Sequence, residues 1–403
     1  MKITGIITEY NPFHFGHEFH VKSSKEKTSA DAIICVMSGN FVQRGIPSIT
    51  DKWSRTKMAL LGGVDLVIEL PSIYCVSSAE YFAFGAISIL DSLNVVDNIC
   101  FGSECGDITV LKEISKILFT EPLEFKESLK EELALGLSFP KARSIALEKY
   151  IKNFKEFNFS NIQNILNSSN NILAIEYCKA LLKLNSKINP VTITRIGSNY
   201  NDEALNNNGF SSASSIRKII NEDSLKACSN IIPKYSYEIL SKSKLADINK
   251  MFFYVKYKLL SDPTLLTNIP DANEGLGNKI LKNINIATSF DELIMLCKSK
   301  RYSYTRISRV ICQCFLSLTK EEISLSKSIP QYIRILGLNE TGAKIIKEIK
   351  NSSNISIVNK ISKNYKNTML SLDIKATNLY SLLNDNIPIN ADFKISPIIL
   401  KYQ

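Results

Sequence analysis

Along the first hundred residues, apolar positions fall into short, mostly apolar runs separated by stretches of helical periodicity. Residues 3–7, 32–37, 66–70 and 98–102 are such runs, and each ends in a polar or glycine-containing loop. Between them, the stretch from about Gly16, residues 52–61 and residues 79–93 repeat apolar positions at helical spacing. Strands apolar on both faces belong to a parallel sheet covered by helices on each side. The predicted class is therefore α/β, an N-terminal Rossmann-like doubly wound parallel sheet. Residues 191–196 alternate and predict one late strand. Residues 107–187 are mainly helical in pattern, interrupted by Pro122 and Pro140. After about residue 230 the strand patterns stop. Pro233, Pro263 and Pro270 mark connections there, and the remainder reads as helices. The expected division is residues 1–230 as a catalytic unit and residues 231–403 as a basic, mainly α-helical unit.

Composition narrows the picture. The 403 residues are 45 % apolar and 22 % charged, values of a folded globular chain rather than a disordered one. No apolar run approaches the ~18 residues of a membrane span. The opening stretch is too short for the apolar region of a signal peptide, and Glu9 follows almost at once, so a cytoplasmic location is expected. Nine cysteines include no C-x-x-C pair, which predicts reduced, mostly buried thiols.

Charge and histidine are both unevenly placed. Residues 1–250 carry 28 Lys and Arg against 27 Asp and Glu, whereas residues 251–403 carry 21 against 12. All three histidines, His14, His17 and His20, lie within seven residues, in the loop and helix start that follow the first strand. Ligands of open parallel sheets bind at the carboxyl ends of strands. A helix start there offers free N–H groups and a partial positive charge to phosphate oxygens. Gly16 removes a side chain from the approach. Imidazoles can donate to the charge that develops at an α-phosphate. Zinc binding by the three histidines lacks a visible fourth ligand, His-Glu-Phe-His is not the H-E-x-x-H of metalloproteases, and purely structural histidines would not need to be gathered in one loop. A second element, Ser211-Ser212-Ala213-Ser214-Ser215-Ile216-Arg217, reads as a capped helix start whose Ser214 and Ser215 can hold phosphate and whose Arg217 can fork onto it. Asp51, Lys52 and Arg55 are either further site charges or an ordinary surface helix.

His14-Phe15-Gly16-His17 resembles the HxGH motif of the nucleotidylyltransferase and class I synthetase superfamily, and residues 211–217 its second signature. At finer grain, IITEYNPFHFGHEFH (6–20), MSGNFVQR (37–44), DLVIELP (65–71) and FGSE (101–104) resemble the bacterial tRNA(Met) cytidine acetate ligase family. SNNIL (169–173), RIG (195–197), EGL (274–276) and the block 301–309 agree with it. Ala213 departs from the pattern, standing where a hydroxyl residue is common. The resemblance implies a nucleotidylyltransferase-type sheet and a two-step ligase. Acetate and ATP would give acetyl-adenylate and pyrophosphate, and the N4 amine of the wobble cytidine of elongator tRNA(Met) would then take the acetyl group, giving N4-acetylcytidine and AMP. It implies His14 and His17 as catalytic residues. ATP would be wrapped by Ile7, Thr8, Glu9, Tyr10, Asn11, Pro12, Phe13, His14, Phe15, Gly16, His17, Glu18, Phe19 and His20. Gly102, one of Asn170 and Asn171, Arg195, Ile196, Ser214, Ser215 and Arg217 would complete that site. Magnesium is expected on the phosphates of ATP, with no dedicated ligand cluster visible.

Residues 298–309 hold five cations and two tyrosines without an acid. Cations that neutralise phosphates beside aromatics that stack on bases suit a tRNA anticodon stem-loop, so Lys298, Lys300, Arg301, Tyr304, Arg306 and Arg309 are the candidate tRNA contacts. The competing reading is a solvated helix face, with the tyrosines in the core. Two rival functions remain at this stage. A small-molecule adenylyl- or cytidylyltransferase would share the sheet and both motifs but needs no basic helical unit. A catalytically silent RNA-binding protein would not need the paired histidines.

Overall fold

A computed structural model describes residues 1–137, 139–154, 162–195, 211–362 and 366–401. The strands are β1 (Ile3–Thr8), β2 (Ala32–Ser38), β3 (Phe41–Val42), β4 (Ile46–Pro47), β5 (Leu66–Leu70), β6 (Asn98–Ser103), β7 (Asn189–Thr194), β8 (Tyr332–Leu338), β9 (Ser356–Val358) and β10 (Ile398–Ile399). The main sheet runs β10-β8-β5-β2-β1-β6-β7, with β9 on β8, and β3 and β4 form a separate hairpin. From β1 the chain moves outward through β2 and β5, then returns to the other side of β1 with β6 and β7. The order reverses between β1 and β6, which is the switch point where such sheets open a crevice. The strands β1, β2, β5 and β6 pair in parallel, Ile3 to Thr8 of β1 lying in register with Ala32 to Met37 of β2. Their side chains are almost wholly buried, as their mostly apolar runs predicted.

One expectation is corrected. Strands do not end near residue 230: β8 inserts beside β5, antiparallel, with Leu66 opposite Leu338 and Glu69 opposite Arg334. The sequence of β8, Tyr-Ile-Arg-Ile-Leu-Gly-Leu, carries a charge and a glycine that break the apolar run. The charge belongs inside. Arg334 Nη1 lies 3.2 Å from Glu69 and 2.8 Å from Asp392, while Lys52 Nζ lies 2.7 Å and 2.9 Å from the same two carboxylates. All four side chains are at most 4 % exposed, so each buried charge faces two opposite ones. One of two apolar clusters accordingly runs from Ile3 to Ala391, although most elements after residue 230 are helical as predicted. No helix among the described residues is long and apolar enough to cross a membrane.

Candidate active site

The loop after β1 is shaped by its own backbone. Tyr10 takes a left-handed φ of 46° and the Asn11-Pro12 peptide is cis. Asn11 is buried, its Oδ1 accepting from Ile49 N at 2.7 Å. The chain then enters helix α1 (Phe15–Thr28), with His14 as its N-cap. His14 Nδ1 accepts from Gly16 N at 3.1 Å, and His17 Nδ1 accepts from His14 N at 3.3 Å. This reciprocal cap satisfies two free donors of the helix start, as Ser and Glu do in the usual capping box. It also fixes both tautomers. With each Nδ1 accepting, the ring proton of a neutral imidazole sits on Nε2. The rings lie with centroids 3.7 Å apart, and Tyr10 meets His17 edge-on at 4.9 Å.

Burial keeps the rings neutral. His14 is pushed down to about 3 by burial, then by the charges of Arg195 and Arg217. His17 lies well below the ordinary histidine value, through burial and then His14, Arg195 and His20. Burial and then Arg195 push His20 down to about 4. These effects locate the arginines. Arg195 directly follows β7, its N–H donating to Ser103 O at 3.0 Å, and its charge reaches all three histidines. Arg217, on the helix Ala213–Glu222, donates from Nη1 to Asn11 O at 2.7 Å. The switch point therefore gathers two neutral N–H donors and two cations, of which Arg217 is held by the loop backbone.

Gly102 lies beneath Arg195: a Cβ there would come within 3.1 Å of Arg195 Cγ, so the position accommodates a side chain lying along the strand. Ser212 caps the helix Ala213–Glu222, accepting from Ser215 N at 3.1 Å, and its hydroxyl also lies 3.1 Å from that of Ser214. Ser215 donates its own hydroxyl to Ser212 O at 2.8 Å.

A family model described as HIGH Nucleotidyl Transferase matches residues 1–392. The tRNA(Met) cytidine acetate ligases of Clostridium perfringens and Clostridium novyi are 59 % and 51 % identical to this chain, with full coverage of both partners. The chain belongs to the tRNA(Met) cytidine acetate ligase family of HIGH nucleotidyl transferases. Among solved structures, Thermotoga maritima TmcAL bound with alpha-thio ATP superimposes with a TM-score of 0.91 at 34 % identity, and its apo form with 0.93, both over the full length of each chain.

Within this family frame, several residues of the loop serve the scaffold. Thr8 is buried with its hydroxyl 3.1 Å from Cys35 Sγ, and Phe13 is fully buried. Glu18 Oε1 accepts from the Tyr235 hydroxyl at 2.9 Å, tying the first turn of α1 to the helix Lys234–Ser241. Ile7, Phe19 and His20 are half-buried, and Phe15 is the most open side chain of the stretch. Ile196 lies outside the described residues.

The two asparagines separate. Asn171 is buried, its Oδ1 accepting from Glu104 N and Cys105 N at 2.9 and 3.1 Å, so it caps the turn after β6. Asn170 is half-buried and donates from Nδ2 to Glu104 Oε1 at 2.7 Å.

Asp51, Lys52 and Arg55 fit neither expectation for them. Asp51 Oδ1 caps helix α2 (Lys52–Leu61), accepting from Trp53 N and Ser54 N. Lys52 belongs to the buried charge cluster. Arg55 is fully buried and donates to Glu9 O at 2.6 Å, Ser38 O at 3.1 Å, Thr50 O at 3.2 Å and Gly39 O, stitching together the ends of β1 and β2. The signal available in the sequence was their position: the first turn of a helix that closely follows the second strand end.

The basic segment is less free than its sequence implied. Lys298 and Lys300 are exposed. Arg301 lies 3.8 Å from Glu274. Arg306 pairs with Glu274 at 3.0 Å, donates to Asn273 Oδ1 at 2.6 Å and to Asp271 O at 3.2 Å. Arg309 is largely covered and lies 4.0 Å from Asp271. Tyr302 is a core residue whose hydroxyl donates to Glu274 O, whereas Tyr304 stays partly exposed with its hydroxyl 3.1 Å from Asp291. The acids missing from residues 298–309 are supplied by the loop at 271–274.

Proposed function

We propose that this chain is an ATP-dependent tRNA(Met) cytidine acetate ligase that carries out two steps at the switch-point crevice. In the first, an acetate oxygen attacks the α-phosphorus of ATP, the bond to the β-phosphate oxygen breaks, and pyrophosphate leaves acetyl-adenylate behind. His14 and His17 donate from Nε2 to the phosphate oxygens on which charge builds. Fixed donors of this kind need no reorganisation as the transition state forms. Arg195 and Arg217 offset the repulsion between the acetate anion and the triphosphate, holding the two within reach. Asn170, rather than the turn-bound Asn171, faces the nucleotide in this reading, with Ser214 and Ser215 at the phosphates.

In the second step the N4 amine of the wobble cytidine of elongator tRNA(Met) attacks the acetyl carbonyl carbon. The new C–N bond forms, the C–O bond to AMP breaks, and one N4 proton is lost. The division of labour assigns ATP chemistry to residues 1–230 and the tRNA face to residues 231–403, with β8 to β10 as the part of the latter built into the sheet. Lys298, Lys300 and Arg301 meet the phosphate backbone, with Tyr304, Arg306 and Arg309 beside them. Magnesium would arrive with ATP. No group of three or more His, Cys, Asp or Glu able to hold a metal ion occurs among the described residues, and no step here is routed through the ion. A cytoplasmic location goes with a tRNA substrate.

The observation that carries this reading is the reciprocal cap, which presents two neutral Nε2–H donors at a helix start beside two arginines. The test is transfer of label. Acetate labelled in the methyl group, with ATP and tRNA(Met), should place label in the tRNA, and replacing the wobble cytidine should abolish it. A product that retains the adenylyl group instead of acetate would replace this reading with a small-molecule transferase.

A further inference from the structure

Residues 37–44 end at a hairpin tip that the adenylation step leaves without a role. β3 and β4 pair Phe41 with Pro47 and Val42 with Ile46, leaving Gln43, Arg44 and Gly45 as the turn. That turn is pinned on two sides. Gln43 N donates to Glu9 Oε1 at 2.6 Å, tying the tip to the loop after β1. On the other side Ser308 donates its hydroxyl to Gly45 O at 3.0 Å. Gly45 has φ +73°, and a Cβ there would lie 2.4 Å from Arg309 N, so only glycine lets the helix Tyr304–Phe315 seat against the turn.

Arg44 is thereby held, half-buried, between the catalytic loop and the basic helix. The electrostatics agree with this placement. Burial and then Asp291 raise the Tyr304 hydroxyl, while Arg44 and Arg217 both pull it back. The same two arginines act on Glu9. The turn that carries Arg44 thus joins the loop after β1, which Arg217 also reaches, to the helix that carries Tyr304.

We propose that Arg44 and Tyr304 receive the acceptor pyrimidine beside this turn, Tyr304 as a stacking face and Arg44 as the fork that reads cytosine. The assignment rests on the ligase reading above. Cytosine presents N3 and O2 as adjacent acceptors and N4 as a donor. A guanidinium donates to both acceptors at once and leaves the N4 amine free for acyl transfer. Uracil presents N3–H at the central position, so two donors would face each other and the pairing is lost. Stacking on tyrosine tolerates any base. Tyr304 therefore supplies affinity and Arg44 supplies choice.

The experiment compares Arg44→Lys, Arg44→Ala, Tyr304→Phe and Tyr304→Ala in the full chain. It measures acetyl transfer to tRNA(Met), tRNA-free pyrophosphate exchange, and competition by tRNA bearing C or U at the wobble position. The unaltered chain should prefer C over U by about tenfold or more. Both Arg44 variants should bring that ratio near one and lower transfer roughly 100-fold, with exchange falling far less. Tyr304→Ala should weaken both tRNAs alike by about tenfold, and Tyr304→Phe, which keeps the ring, should restore most of that loss. A preserved C-over-U ratio in Arg44→Lys, or equal loss of exchange and transfer, overturns the assignment alone. Absence of acetate-dependent exchange in the unaltered chain overturns the ligase reading and the assignment together.

Discussion

Around the loop after β1, cations and imidazoles are held by the main chain. Arg55 reaches four carbonyls, Arg217 reaches Asn11 O, and His14 is held by Gly16 N. In residues 298–309 Arg301 and Arg306 rest on the Glu274 carboxylate, and Lys298 and Lys300 stand exposed. The difference matches two kinds of work. Stabilising charge that develops at one phosphorus requires donors already in place. Binding an RNA backbone draws on counterion release, which tolerates many geometries. Backbone-held groups suit the first, and side chains in water suit the second.

The comparison breaks most visibly where a fixed charge is removed. Lys52→Met leaves Glu69 and Asp392 with only Arg334, and should lower stability by about 3–5 kcal/mol in urea denaturation. Loss of less than about 1 kcal/mol would mean that the cluster is not dry. Next in size, His14→Ala removes a donor aimed at chemistry. Exchange should fall roughly 100- to 1,000-fold, with tRNA affinity unchanged in filter binding. Parallel loss of both would indicate a collapsed loop instead.

A smaller effect distinguishes the two kinds of cation within the basic segment. Lys298→Ala with Lys300→Ala should lower the dependence of log affinity on log salt by about 1–2 for tRNA and leave thermal stability as it was. Arg306→Ala should weaken tRNA binding and also lower the melting temperature, because Glu274 and Asn273 lose their partner. Equal melting temperatures for both variants would remove the distinction.

The smallest signal is a titration that should not occur. Three histidines give three ring resonances in NMR spectra, and none should titrate between pH 8 and pH 5, since His14 is pushed down to about 3 and His20 to about 4. The unfolded chain takes up these protons near 6.5, the ordinary histidine value, while the folded site refuses them. Stability should therefore fall as pH drops below that value. A resonance titrating near pH 6.5 would show a charged ring in place of a neutral donor.

Much of the N-terminal part was legible because its signals are local. β1, β2, β5 and β6 are mostly apolar, with Glu69 their one charge, and the histidine loop is a contiguous motif at a strand end. What stayed hidden depends on partners distant in sequence. Lys52 and Arg334 read as polar positions wherever they occur, and only the Glu69–Asp392 pairing makes them core residues. β8 was masked for the same reason, its apolar run broken by that arginine. In the basic segment, Arg306 reads as a free cation because its partners at 271–274 lie some thirty residues earlier. The turn at Gly45 shows the same limit: its contact with Ser308 spans 263 positions.

The central claim is that this loop activates acetate on ATP before any tRNA is involved. Pyrophosphate exchange into ATP, measured without tRNA and with acetate present or absent, tests it most directly. Exchange that appears only with acetate and is lost in His14→Ala is the predicted result. Exchange that proceeds equally well without a carboxylate, or only once tRNA is added, would contradict it.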